Sequence, residues 1–343
     1  MPKPAPTMRE IAREAGCSVM TVSLALRNSH RISADTRRHV QEVARRLGYR
    51  PNPMVSALMT HLSTSRPVVH QANIAFLAAR EVWRQSWVSE ELYGGVRDRA
   101  EELGFLVDKI WLDGSEGSPD RLQKILRSRN IQGAVVAPLP ETGVLDAIHW
   151  EDLSSVAIGN TVISPRLHRV TNHQYHGMQL ILETLRAKGY RRIGLALETF
   201  VDDKVDRTWS SGLTGYQLRW PVKERVPPLL GLIYPDDVRK WMTRHRPDVV
   251  IGLDRALDSL MELGIGIPGD VAFVHLSVPY VAFPEIDVSG LNQQWRAAAA
   301  AAVDSVVAQL YRNERGISRE PKTIMLEGAW YEGTTTPGRE SVR

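Results

Sequence analysis

Between Thr7 and Gly48 the chain is punctuated so closely that only short helices fit. Thr7 opens a capping box: its hydroxyl can cap a helix while Glu10, three residues on, reaches back. Met8, Ile11, Ala12 and Ala15 then recur at helical spacing, and Gly16 supplies a stop. After a turn of only a few residues, Ser18 can cap a second helix, predicted over Val19 to Arg27. Ser33 can cap a third, which gathers Thr36, Val40, Val43, Ala44 and Leu47 on one face and ends at Gly48. Three short helices with a tight glycine turn between the first two describe a helix-turn-helix unit.

Charge agrees with that assignment. The formal net charge is only +4, yet residues 1–68 hold eleven Lys/Arg against four acids, about +7, which leaves about −3 for the rest. A basic head on a mildly acidic body suits a polyanion, although a solvated helical surface would look the same by charge alone. Composition is that of a soluble globular protein, 43% hydrophobic and 24% charged. At 343 residues two or three folding units are expected. No apolar run approaches the ~18 residues of a membrane span. Cys17, the sole cysteine, excludes an internal disulfide framework, fits a reducing cytoplasm, and has no clustered partners for zinc.

The run Ile11 to Ser23, with Ile32-Ser33, Thr36-Arg37, Leu47-Gly48-Tyr49 and Pro51-Asn52-Pro53 at matching spacing, resembles the opening of lactose-repressor/purine-repressor family regulators. The resemblance implies that the second helix enters the major groove of DNA. It puts Val19, Met20 and Leu24 against base edges. All three are apolar, so they can meet thymine methyls but cannot form the bidentate bonds that read guanine or adenine. The competing reading makes Val19 and Met20 core residues. Ser18, Thr21, Ser23, Asn28 and Arg37 are implied to meet phosphate, or else to be caps and surface groups. The segment Asn52 to Leu62 is similar to the family's hinge helix, which folds when paired with its dimer mate, and Leu58 stands where a leucine wedges into the minor groove. An amphipathic linker helix packed on the body is the alternative.

From about residue 71, apolar strands alternate with helical patterns. Strands are predicted at Ala72 to Ala79, Phe105 to Trp111, Gly133 to Ala137, Val156 to Gly159, Ile193 to Leu197, Asp248 to Gly252 and Val271 to Leu276, with a helix over Glu90 to Leu103. That alternation predicts parallel sheets covered by helices. The resemblance adds a two-lobed α/β body, like periplasmic sugar-binding proteins, with a ligand between the lobes. The expected layout is a helix-turn-helix head at 1–50, a hinge helix and linker at 51–68, and a two-lobed effector-binding and dimerisation domain at 69–343.

The pocket departs from the family's sugar-binding pattern. Where relatives carry an arginine three residues before a Gly-aromatic pair, here Gly215-Tyr216, this chain has Gly212, and Arg207 is the nearest substitute. Where they carry an aspartate after the strand ending at Leu276, it has Ser277. A guanidinium and a carboxylate are the groups that grip sugar hydroxyls by charge-assisted bonds. A simple sugar effector is therefore in doubt. Trp83, Trp87, Arg207, Trp209, Asp254 and Ser277 are the candidate effector residues, although a tryptophan is more often core or interface.

Catalytic signatures are missing: the chain has no GxxxxGK[ST] loop, HExxH pair or GxSxG elbow. The expectation is a cytoplasmic homodimer without cofactor, a regulator and probable repressor in the family's manner. It would bind a pseudo-palindromic double-stranded DNA operator and answer to a small molecule. The rival is a cytoplasmic receptor whose head docks protein.

Overall fold

The computed structural model describes residues 6–26, 32–49, 72–80, 88–112, 119–140, 143–278 and 285–339. The head is three helices: α1 (Met8–Glu14), α2 (Val19–Leu26) and α3 (Ala34–Arg46). Both bonds of the Thr7–Glu10 capping box form, and Ser33 Oγ accepts from the Thr36 N–H. Gly16 and Gly48, at φ +62° and +72°, close α1 and α3 in Schellman turns. In these, Cys17 N donates to Ala12 O and Tyr49 N to Ala44 O. A side chain is strained at such φ, so both glycines are where the backbone needs them. Ile11, Val22, Ala25 and Val40 are fully buried between the helices. Gln41 Nε2 donates to Ala25 O, and Arg46 pairs with Glu14, fastening α3 to the other two.

The body holds two sheets. In the first, β1 (Ala72–Ala78), β2 (Phe105–Trp111), β3 (Gly133–Val136), β4 (Ser154–Ile158), β5 (His168–Asn172) and β11 (Thr323–Leu326) run in spatial order β2-β1-β3-β4-β5-β11, all parallel. In the second, β6 (Ile193–Glu198), β7 (Leu229–Gly231), β8 (Val249–Gly252), β9 (Ala272–Val278), β10 (Gly290–Asn292) and β12 (Ala329–Tyr331) repeat that order as β7-β6-β8-β9-β10-β12. Only β12 is antiparallel there. The predicted strands fall within a few residues of those observed. The short β5, β7, β10, β11 and β12 were not expected: most are edge strands or rest half-exposed, without the apolar run of a buried strand.

Helices cover both faces. In the first lobe, α4 (Val88–Glu102) and α5 (Pro119–Ser128) are joined by α11 (Trp295–Arg312), a segment distant in sequence. Ala298, Ala299, Ala302, Val303 and Val306 of α11 share a core with Leu92, Val96 and the sheet. The fit is close: a Cβ added at Gly95 would lie 2.4 Å from Arg296 O. The second lobe is covered by α6 (Gln174–Ala187), α7 (Thr199–Asp203), α8 (Thr208–Gln217), α9 (Pro235–His245) and α10 (Asp254–Glu262).

The chain crosses between lobes three times, after β5, β10 and β11, always from the C-terminal end of a strand. The C-terminal ends of both sheets therefore border one cleft. Each sheet also has a topological switch point, between β1 and β3 and between β6 and β8, where open α/β sheets bind ligands. Among the described residues no helix is long and apolar enough to cross a membrane.

Candidate DNA-binding and effector sites

Ser18 starts α2. Its Oγ accepts from Thr21 N at 3.0 Å and lies 2.9 Å from Thr21 Oγ1, so both hydroxyls are engaged in the cap. Helical periodicity then splits α2. Val22 and Ala25 turn into the head's core, whereas Val19 and Met20 are 43% and 67% exposed. That excludes the core reading of Val19 and Met20. Leu24 and Ser23 are half-buried on α2, as is Arg37 in the first turn of α3. Asn28 and Leu58 lie outside the described residues, as do Trp83 and Trp87.

In the second lobe, β6 and β8 pair with Ala196 opposite Gly252, so Glu198 ends β6 beside the segment that leads from Gly252 into α10. Asp254 begins α10, and its Oδ1 lies 2.8 Å from Nε2 of His275, which is 1% exposed. The other ring nitrogen, Nδ1, accepts from Ser277 N at 3.1 Å, so the proton of a neutral ring sits on Nε2 and faces the carboxylate. Burial, then the neighbouring Asp254 charge, raises the Asp258 carboxyl one turn further along α10.

Ser277 Oγ accepts a 3.1 Å bond from the Trp295 indole N–H, which begins α11 in the other lobe. Beside it the crossing segments are laced together: Asn172 Nδ2 donates to Gln293 O, His173 N to Leu326 O, and Gln294 Nε2 to Glu327 O. Gln293 Nε2 in turn donates to Leu276 O.

Arg207 is tied to Asp203 at 2.7 Å, a bond that raises its guanidinium above the ordinary arginine range. Both Asp206 and Arg207 are left-handed, at φ +55° and +58°, which is uncommon for residues with side chains. Trp209 does not meet the expectation of a stacking ring: it is 3% exposed and packs with Leu213 and Trp220 in the lobe's core. Its position on α8 turns it toward the sheet rather than the cleft. The pattern of the sequence did not single out His275, a polar residue inside an apolar strand, nor Trp295, the first residue of a helix. Either oddity was a usable signal. Among the described residues, no group of three or more His, Cys, Asp or Glu could hold a metal ion.

Residues 7–52 match the family described as bacterial regulatory proteins, lacI family. The head is a lacI-family helix-turn-helix domain. Over its whole length it is similar to the HTH-type transcriptional regulator RafR of Escherichia coli, 24% identical with 96% of this chain and 98% of RafR aligned. To the regulator GalS of Salmonella typhimurium it is 47% identical over 74 residues, 22% of that protein. Among solved structures it resembles a CelR–cellobiose complex (TM-score 0.58, 20% identity, covering 96% and 99% of the chains). It also resembles a lac repressor dimer bound to operator and the anti-inducer ONPF (0.55, 18%, 97% and 100%). Its lacI-family relatives are transcriptional regulators, not enzymes.

Gly212 stands where sugar binders place arginine, and a Cβ there would meet Met178 Cγ at 3.0 Å, so the position serves close packing of α8 on α6. At Ser277 the expected carboxylate is replaced by an acceptor for Trp295.

Proposed function

We propose that this regulator is a repressor that binds a pseudo-palindromic operator as a homodimer and is switched by a small molecule held between its lobes. The observation that carries the reading is the exposed apolar start of α2, Val19 and Met20, on a basic head of lacI-family sequence. In this reading Val19, Met20 and Leu24 meet base edges, chiefly thymine methyls. Ser18, Thr21, Ser23, Asn28 and Arg37 meet phosphate, and Leu58 wedges the operator's centre from the minor groove.

Dimerisation is supported by an apolar face on the second lobe: Leu230, Leu232, Tyr234 and Met261 are 40–62% exposed around β7, α9 and α10. A second copy would cover it, and the two-fold symmetry of such a pair matches a palindrome. Effector binding is supported by the polar groups at the β6/β8 switch point, with Arg207, Asp254 and Ser277 as contributors. Coupling acts both ways: whatever the effector does to operator affinity, operator does to effector affinity. The protein acts in the cytoplasm.

Selection of bound sequences from a random DNA pool at near-physiological salt tests this reading. A palindrome with two equivalent half-sites is expected, with affinity falling steeply as salt rises. Failure to recover any motif, with and without cell extract, would turn the assignment toward a receptor whose head docks protein.

A further inference from the structure

At and just past the C-terminal end of β6, two carboxyl oxygens are buried and have no hydrogen-bond partner among the described residues. Glu198 ends the strand as the N-cap of α7, and Asp202 lies within that helix four residues on. Asp202 is 1% exposed; its Oδ1 accepts from Ser210 N at 3.3 Å, while its Oδ2 is buried with no hydrogen-bond partner. Glu198 Oε2 is likewise buried and unpartnered. The cations nearby make their hydrogen bonds elsewhere, although the charge of Arg207 also acts on Asp202. Arg207 is bound to Asp203, Lys204 lies over the Phe200 ring at 5.0 Å, and Arg169 donates to Asn160 Oδ1 and Val162 O.

A buried carboxylate oxygen left without a donor is costly, and native proteins keep few such groups without a use for them. These two lie at the end of, and just beyond, the strand that flanks the switch point between β6 and β8. Arginine, the cation that relatives bring to this corner, is absent at Gly212.

We propose that Glu198 and Asp202 bind the protonated amine of the effector, making it a cationic small molecule. The proposal rests on the cleft being the effector site. An ammonium group has three N–H donors, enough for both orphaned oxygens and one further acceptor. It also supplies the charge a hydroxyl lacks. A divalent ion fits less well, because among the described residues no group of three His, Cys, Asp or Glu side chains is placed to hold one.

The test is thermal unfolding of the full chain and of Asp202→Asn and Glu198→Gln, alone and with four probes: putrescine, 1,4-butanediol, glucosamine and glucose. Asparagine can still accept from Ser210 N but carries no charge, so ligand-free Asp202→Asn is expected to unfold at a higher temperature than the parent. At least one amine is expected to raise the parent's midpoint by about 2–4 °C while its hydroxyl counterpart does not, and that gain disappears in both variants. Equal effects of amine and hydroxyl, no effect of either amine, an undiminished gain in the variants, or a less stable Asp202→Asn would each overturn the proposal. Operator binding by the parent protein, measured alongside, separates the two ideas. Its absence faults the regulator reading, whereas the thermal comparison reads the cleft alone.

Discussion

The Trp295 indole N–H reaches across the hinge to Ser277 Oγ at 3.1 Å, joining the first turn of an N-lobe helix to the end of a C-lobe strand. The lobes are thus held by a side-chain bond as well as by three crossing strands. Removing its acceptor, in Ser277→Ala, is expected to cost about 0.5–1.5 kcal/mol of stability. It should also change Trp295 fluorescence and widen the distribution of lobe separations in solution scattering. Unchanged scattering with unchanged stability would mean that the bond does not restrain the lobes.

Exposure on α2 sets a second expectation. Met20→Ala should relax operator preference at one base pair of each half-site and leave non-specific binding nearly intact, because base contacts specify while phosphate contacts position. Arg37→Ala should do the reverse, weakening all DNA about equally and lowering the salt slope by about 1. Competition binding against mutated half-sites at several salt concentrations measures both. Parallel loss of specific and non-specific binding in Met20→Ala would remove that residue from the reading surface.

Gly95→Ala should be costly although alanine is the better helix former. The new methyl would lie 2.4 Å from Arg296 O and 2.9 Å from Ala299 Cβ, so α4 and α11 must move apart. Overpacking of this kind costs roughly 1–3 kcal/mol. Chemical denaturation gives the number, and a neutral result would show that the two helices separate freely.

Acid should weaken the first lobe through His168. Its Nδ1 accepts from Lys322 N at 2.9 Å, and burial holds the ring's pKa below the ordinary histidine value of 6.5. The folded state then binds fewer protons than the unfolded chain, so stability rises with pH. This contribution is full above about pH 6.5 and declines as pH falls below it. Midpoints recorded from pH 7.5 down to 5.5 should fall less steeply in His168→Gln than in the parent; identical slopes would contradict the assignment.

What could be read from the sequence was whatever local chemistry decides. Thr7, Gly16, Ser18, Ser33 and Gly48 bound their helices through bonds spanning three to five residues, and each forms as expected. The parallel strands of the core announced themselves as apolar runs. The cleft did not, because its parts meet only through topology: Trp295 touches Ser277, and Asp254 touches His275, across 18 and 21 residues. Trp209 shows the converse. As a residue type it suggested a ligand surface, and only the packing of α8 on the sheet turns it inward. Nothing in the sequence marks Glu198 and Asp202; the burial of their oxygens emerges only in the fold.

The interleaving of the lobes also governs how this chain can fold as it leaves the ribosome. The N-lobe core needs Ala298 through Val307, and the C-lobe sheet needs β10 and β12, so neither lobe can close on a nascent chain that stops before those residues emerge. The head, complete within its first fifty residues, can fold early. The body must wait for contacts that span well over two hundred positions, which makes its folding slow and leaves unfinished sheets exposed meanwhile. Synthesis would therefore hold a folded DNA-reading module on an unfolded sensor for most of translation, a stage at which chaperone demand should be greatest.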